Sequence, residues 1–535
     1  MESTILMAEG ARIAEDAKAA AAGRQSVAEW KKNLVRQDEI DRYLVDGKDF
    51  IDDEAIEEAI AREEASVAAL AQTAGGKEAL TARVRGIIEK ARKVKLMDAD
   101  DVAFLVNVKD PDLREEVFAA AREIKKQVYD NRVVTFAPLY CGSKCVNSCK
   151  YCGFRCENAA IERRVLSMEE IEAEARVLAA KIGHKRLVLV YGEHPETDAD
   201  YIAESMKRIY AIKEKVRGGV GEIRRVNINA APLPIEGLKK LHEAGIGTYQ
   251  VFQESYHKKA YAEVHPAGTL KGNYRWRLYA LHRAMDAGVD DVAVGALFGL
   301  ADWRFELMGL VAHARDLEAR YGLGPHTVSV PRLEPAADTD FSWVKHWVSD
   351  EDFRYLIGCI RLAIPYAGLI VTNREKPEML RSVIKMCTQR DADTRVGIGA
   401  YTDAFSAHDQ REETQQFMLG DTRSLDEIIR ELADMGHIVS FCTAGYRCGR
   451  TGKKIMDALE SGREGCFCKL NAVLTFQEWL EDFASPETKK IGDAIIDKEM
   501  AEIRERVPAD FTEPLWEHLV KAREKILAGE RDLYF

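Results

Sequence analysis

Between residues 133 and 402, short β-branched runs alternate with amphipathic stretches, and this alternation constrains the fold more than any other feature. The runs are "VVTFAPLY" (133–140), "RLVLVYGE" (186–193), "RVNINAAP" (225–232), "TYQVFQES" (248–255), "DVAVGALFGL" (291–300), "HTVSVPRLEP" (326–335), "GLIVTNRE" (368–375) and "RVGIGAYT" (395–402), eight in all. Apolar residues at helical spacing fill most of the gaps, at 168–182, 200–216, 235–244, 275–287, 304–321, 350–363 and 376–386. Eight strand-plus-helix units predict an α/β fold closed as a (β/α)8 TIM-type barrel rather than an open sheet. Functional groups of such a barrel gather at the C-terminal ends of its strands. The polar residues at those ends are Glu193, Asn229, Glu254, Arg332, Glu334, Arg374 and Tyr401.

The flanks read as helical. "DDEAIEEAIAREEASVAALAQ" carries acids in its first turn, and "DPDLREEVFAAAREIKKQVYD" opens with a proline at the first turn. An Ala-rich helical arm is expected over the first 25 residues. After the barrel, "AFSAHDQREETQQFMLGDTRS" reads as loop, and "SLDEIIRELADMGH" as a helix with Ser424 as N-cap and Glu427 completing a capping box. Charged helices are expected over 474–535. The predicted division is a helical N-terminal region (1–130), the barrel (131–405) and a C-terminal helical domain (406–535).

A net charge of -12 offers no basic surface for nucleic acid or an anionic membrane. No apolar run approaches the roughly 18 residues of a membrane span. No basic region precedes an apolar core at the N-terminus, so no secretory signal is expected. The cytoplasm is the expected setting, where eleven cysteines read as thiols or metal ligands rather than a disulfide framework.

"CGSKCVNSCKYCGF" follows the first strand and places Cys145, Cys149 and Cys152 in a C-x3-C-x2-C spacing. Three thiolates hold three irons of a 4Fe-4S cluster and leave the fourth open to an exogenous ligand. That layout suits an enzyme that binds S-adenosylmethionine (SAM) through its amino and carboxyl groups and cleaves it reductively. Tyr151 fits an aromatic wall beside the adenine, and Gly153 allows a tight backbone turn. The alternative is a structural zinc knuckle with Cys141 or Cys156 as fourth ligand.

This segment resembles the radical SAM superfamily. The resemblance assigns the methionine amino group to "YGEHP", through Tyr191, Gly192 and Glu193. It places backbone groups of "GALFGL" near the adenine. Glu254 and Arg277 become contacts to the ribose and methionine carboxylate, or else a salt bridge at the barrel mouth. "RRVNINAAPLP", "GIGTYQVFQESYHKKAYAEVHP", "NYRWRLYALHRAMDAGVDDVAVGALFGL", "GPHTVSVPRLEPA" and "LGDTRSLDEII" are more specific. They are similar to the aromatic amino-acid lyase group, which holds 2-iminoacetate synthase, tryptophan lyase and the HydG-type tyrosine-lyase maturase of iron-only hydrogenase. The maturase is the best match, over about residues 100 to 490. The resemblance implies a 5′-deoxyadenosyl radical that takes hydrogen from the amino group of L-tyrosine. Cα–Cβ cleavage then gives p-cresol and dehydroglycine. Conversion of dehydroglycine to CO and cyanide follows on a second Fe–S cluster in the C-terminal domain. That cluster carries a labile iron bound through a histidine, matched here to His265 in "EVHP". Read without the resemblance, His265 is a loop histidine beside Pro266. An electron donor such as ferredoxin or flavodoxin, other hydrogenase maturation proteins and an anaerobic cytoplasm are the implied context.

Two departures stand out. The family's C-terminal pattern is C-x2-C-x22-C. In "CTAGYRCGRTGKKIMDALESGREGCFCK" it maps to Cys442, Gly445 and Cys468, and glycine offers no ligand. Cys448 and Cys466 are the candidate replacements. The outcomes left open are a three-cysteine cluster with an open iron, a fully ligated cluster or zinc site, and bystander thiols. The second departure is "QRDADTRVGIGAY" (389–401). Arg374 matches the residue that grips the substrate carboxylate, with Thr394 as its partner hydroxyl, but Arg390, Asp391 and Asp393 add charge nearby. Either Arg390 pairs with an acid in a solvated loop, or the substrate differs from tyrosine. The expected function is therefore tyrosine cleavage leading to CO and cyanide. Its rivals are a paralogue ending at 2-iminoacetate (dehydroglycine) or acting on another amino acid, and a non-catalytic Fe–S scaffold.

Overall fold

The structure is a computed structural model that describes residues 26–403, 410–449, 452–460 and 463–535. The predicted Ala-rich arm lies outside the described residues. Eight parallel strands form the barrel: β1 (Val133–Gly142), β2 (Arg186–Tyr191), β3 (Arg225–Asn229), β4 (Tyr249–Gln250), β5 (Val292–Gly295), β6 (Thr327–Ser329), β7 (Gly368–Val371) and β8 (Gln389–Asp391). Each pairs with the next, and β8 returns to β1, with Val134 opposite Gln389 and Phe136 opposite Asp391. Every residue of β1 is buried, as expected of a parallel strand covered on both faces.

The eighth strand is not the predicted run 395–402. It is Gln389–Asp391, held between Ile370–Val371 on one side and Val134–Phe136 on the other. The chain leaves the sheet at Asp393, whose φ is 48°, and turns again at Gly399 with φ 77°. Tyr401 is therefore not a barrel-mouth residue. Its hydroxyl donates toward Pro138 O at 2.9 Å inside the core.

Capping chemistry starts the flanking helices. Asp52 accepts from Ala55 N–H at the head of α1 (Asp53–Gln72), and Asp110 with Pro111 opens α2 (Pro111–Tyr129). The Ser424–Glu427 capping box opens α3 (Leu425–Asp434). A ninth strand, β9 (Val439–Ser440), then pairs with the start of β1, Val133 opposite Val439, whereas pairing with β2 begins only at Ala137. The chain continues into α4 (Arg463–Asp482), α5 (Pro486–Glu505) and α6 (Glu513–Leu527).

Buried ion pairs fasten α4 to the barrel. Glu478 bonds Lys185 and Arg224 at 2.6 Å each, and Lys469 bonds Glu499 at 2.6 Å and Asp130 at 3.2 Å. Cys442 therefore lies near the N-terminal end of β1, while the first cysteine motif follows its C-terminal end. The eight residue steps from Ser440's partner Val134 to Gly142 span about 26 Å at the usual strand rise. Among the described residues, no helix is long and apolar enough to cross a membrane.

Candidate active site

The end of β1 delivers Cys145, Cys149 and Cys152 to a cavity of about 230 Å³ at the barrel mouth. Backbone bonds fix their loop: Val146 N–H to Glu193 O and Gly192 N–H to Gly142 O, both at 2.9 Å. A Cβ at residue 192 would lie 2.2 Å from the Lys144 carbonyl oxygen, so glycine is what lets β2 come this close. A Cβ on Gly153 would meet Gln416 O at 2.6 Å.

Among the described residues, no three His, Cys, Asp or Glu side chains gather tightly enough to hold one metal ion. Three thiols lining one cavity, with neither Cys141 nor Cys156 among the lining, suit a cluster that leaves one iron open better than a four-coordinate zinc. Asn147 Nδ2 lies 3.7 Å from Cys145 Sγ and Gln416 Nε2 lies 3.5 Å from Cys152 Sγ, donors of the kind that tune Fe–S potentials. Burial pushes the Cys145 thiol up to about 11, so ligation would release protons. Neither zinc alternative takes part. Cys141 is turned into the core with Sγ 3.6 Å from Leu139 O, and Cys156 is exposed, 3.3 Å from Ser148 Oγ.

Glu193 lines the cavity, and Asn147 Nδ2 donates to its Oε2. Its Oε1 is buried without a hydrogen-bond partner, a vacancy that fits the ammonium of SAM. Tyr191 packs its ring edge-on against Tyr201, 6.1 Å between centroids, so backbone rather than phenol is what β2 offers at this point. Glu254 holds φ 71°, an uncommon value for a non-glycine residue, of a kind that clusters at functional sites. Its Oε1 accepts from Lys271 at 2.7 Å and from Arg277 at 3.1 Å. Burial raises the Glu254 pKa, but the two cations outweigh it and hold the carboxylate below its usual range. The salt-bridge arrangement is thus present, with Arg277 also donating to Phe252 O at 2.6 Å. The sequence reading missed Asn147 and Lys271. Asn147 also accepts from Lys271 N–H at 2.9 Å, so it links the cysteine loop, Glu193 and the Glu254 network.

Arg374 follows β7 and enters the same cavity, its guanidinium 3.4 Å over the Phe417 ring. Thr394 lines the same cavity, but its proton is donated to Asp391 Oδ2 at 2.9 Å while it accepts from Asn373 Nδ2 at 3.0 Å. That donor is unavailable to a substrate carboxylate. Arg390 points away from the cavity and pairs with Asp421 at 3.0 Å.

His265 belongs to this site and not to the C-terminal cysteines. Its Nε2 is 2.9 Å from the Tyr151 hydroxyl and its Nδ1 is 3.0 Å from Tyr261 O. It therefore braces Tyr151 at the barrel mouth, while Cys442 lies at the other end. The histidine near Cys442 is His326, which directly precedes β6 and lies within electrostatic reach of that thiol. Asp291 holds its Nδ1 at 3.0 Å, which would leave Nε2 to a metal if one bound there. The "GPHT" stretch carried this signal, but only topology tells the two histidines apart.

The four C-terminal cysteines divide. Cys442 and Cys468 both lie within electrostatic reach of Tyr129. Cys448 is exposed and its Sγ donates to Phe535 O at 3.2 Å. Cys466 sits among Arg506, Asp510 and Asp130. Cys466 and Cys468 are two residues apart on α4, about 200° around the helix, so they face opposite sides.

A parallel barrel with a three-cysteine loop after its first strand and a free carboxylate oxygen beside it is the architecture of a radical SAM protein. The Radical SAM superfamily model matches residues 139–303, and the Biotin and Thiamin Synthesis associated domain matches 329–438. The crystal structure of HydG, a maturase of the FeFe-hydrogenase, superposes with a TM-score of 0.82 at 41% identity, covering 91% of this chain and 100% of that one. HydG from Carboxydothermus hydrogenoformans gives 0.70 at 36% identity, covering 88% of this chain and 99% of its own. The 2-iminoacetate synthase of Salmonella typhimurium is 29% identical over 333 residues, 61% of this chain and 84% of the relative. The chain belongs to the radical SAM superfamily, in the group that holds HydG. It is thus a radical SAM enzyme related to HydG and to 2-iminoacetate synthase, and the family brings a 4Fe-4S cluster and SAM.

Proposed function

We propose that the enzyme cleaves the Cα–Cβ bond of L-tyrosine to p-cresol and dehydroglycine, and that dehydroglycine is released rather than carried on to CO and cyanide. Arg374 carries the first half of this reading. Its guanidinium is stacked on Phe417 and has no hydrogen-bond or ion-pair partner among the described residues. Such a fork is ready for a substrate carboxylate. Phe136, Val188 and Ile370 form an apolar floor to the cavity that suits an aromatic side chain and sheds water. When bound, the cluster and SAM supply a 5′-deoxyadenosyl radical, with a ferredoxin or flavodoxin as electron donor. Cys145, Cys149 and Cys152 would hold that cluster, Glu193 the SAM ammonium, and the Glu254–Lys271–Arg277 network the ribose and carboxylate end.

The second half rests on the divided cysteines. A three-thiolate second cluster does not fit the described residues, because Gly445 has no side chain, Cys448 turns to Phe535 and Cys466 faces away from Cys468. Cys442 lies within electrostatic reach of His326 and shares Tyr129 as a neighbour with Cys468, which favours a second reading, in which a reduced metal site remains there and a hydrogenase-maturation output survives. Turnover of the reconstituted enzyme with tyrosine, SAM and dithionite under anaerobic conditions separates the two. p-Cresol should form in step with 5′-deoxyadenosine, with no CO in a haem trap. CO beside p-cresol would establish the second reading, and absence of p-cresol would remove tyrosine as substrate.

A companion result is expected at Cys448. The Cys448→Ser variant should match the parent in iron content and EPR spectrum. Loss of a cluster signal would restore Cys448 as a ligand.

A further inference from the structure

Two neighbouring strand ends carry four charged residues, and only half of them are paired. Arg332 and Glu334 follow β6, while Arg374 and Glu375 follow β7. Arg332 Nε donates to Glu375 Oε1 at 2.9 Å, and its Nη1 reaches Asp350 at 2.8 Å. That outer pair is closed. The inner pair, Glu334 and Arg374, is open. Both line the cavity, each is only half-buried, and they lie too far apart to bond each other. Neither side chain has a hydrogen bond or ion pair among the described residues.

We propose that Glu334 and Arg374 form a clamp for the two charged ends of a free α-amino acid, Arg374 taking the carboxylate and Glu334 the ammonium. The proposal deepens the amino-acid lyase reading and rests on it. An anion and a cation that share a cavity without partners of their own match a zwitterion and no simpler ligand, since either charge left alone would be costly once water is expelled. Burial, with the nearby Glu375 carboxylate, lifts Glu334 to about 7, against the opposing pull of Arg374, Arg332 and Lys376. It is an acid short of a counter-ion, and a substrate ammonium supplies one. Arg374 lies within electrostatic reach of Cys152 and Glu254. The clamp therefore holds the charged end of the amino acid, through Arg374, in the part of the cavity that the first cysteine loop also lines. The clamp selects free amino acids, and excludes N-acylated ones and peptides extended at the amino end.

The test is equilibrium binding to the reconstituted enzyme with SAM and no reductant, so that no turnover occurs. The probes are L-tyrosine, its des-amino analogue 3-(4-hydroxyphenyl)propionate, and the same pair for tryptophan and phenylalanine. The parent should prefer an amino acid over its des-amino analogue by about tenfold or more, the worth of one charged hydrogen bond. The Glu334→Gln variant should lose that preference while binding the analogue as the parent does. A Glu334→Gln variant that keeps the preference overturns the clamp, as does a parent that shows no preference for any of the three. A preference confined to tryptophan or phenylalanine, lost in the variant, upholds the clamp and overturns tyrosine as the substrate.

Discussion

Cys149→Ala is expected to abolish 5′-deoxyadenosine formation and to strip the site of its cluster iron. Three thiolates are the minimum that leaves one iron of a 4Fe-4S cluster open, and alanine cannot replace one of them. Cys149 is 5% exposed, between Cys145 and Cys152 on a loop tied at both ends by backbone bonds, so no neighbouring thiol can take its place. Cys156 provides the matched control. It is exposed, lies outside the cavity lining and sits beside Ser148, so Cys156→Ala should keep both iron and activity. Circular dichroism and thermal melting should show both variants folded, because the barrel strands do not depend on the loop's thiols. Deoxyadenosine production by Cys149→Ala at the parent's rate would remove Cys149 from the ligand set.

The barrel was legible because parallel strands buried on both faces must be apolar: six of the predicted runs contain the observed strands, and the first covers all but the last two residues of β1. The eighth failed for a physical reason. "RVGIGAYT" alternates like a strand, but Gly399 turns it, whereas "QRD" looks like a loop and is a strand because closure buries it. Arg390 and Asp391 are tolerated there because Asp421, Asn373 and Thr394 satisfy them. Spacing alone brought out the first cysteine motif, since all its ligands fall on one loop. It could not sort the second set, whose members are spread over the segment after β9 and α4. Helix period does separate Cys466 from Cys468, and that much was available in advance. The exchange of His265 for His326 was not. Both histidines lie in stretches of similar character, and what separates them is which end of the barrel each strand presents. Glu334 was visible as a polar strand-end residue. Its lack of a partner emerges only once Arg332 is seen to be taken by Glu375.

Glu478→Gln is expected to destabilise the protein by about 3–5 kcal/mol, the range for removing one partner of a buried ion pair. The side chains of Lys185 and Glu478 are each 1% exposed, and Arg224 completes the group at 4%. Glutamine keeps the volume but leaves Lys185 in the interior with no ion-pair partner among the described residues, while Arg224 keeps Glu222 at 2.7 Å. Burial by itself would raise the Glu478 pKa, but Lys185 and Arg224 prevail and hold it at about 2. The sign of the pH dependence follows. A carboxylate with a depressed folded pKa gives stability that is complete above its unfolded value, about 4.3, and is lost as pH falls toward 2. The gap between parent and variant in urea melts should therefore be constant near neutrality and close in acid. Glu481 is the surface comparison. Its partner Lys489 is 2.7 Å away and 34% exposed, so Glu481→Gln should cost less than about 1 kcal/mol. Equal costs for the two variants would mean that Glu478 does not fasten α4 to the barrel. Because α4 carries Cys468, the interior pair, rather than the surface one, sets how firmly the helix that bears that thiol is held against the barrel.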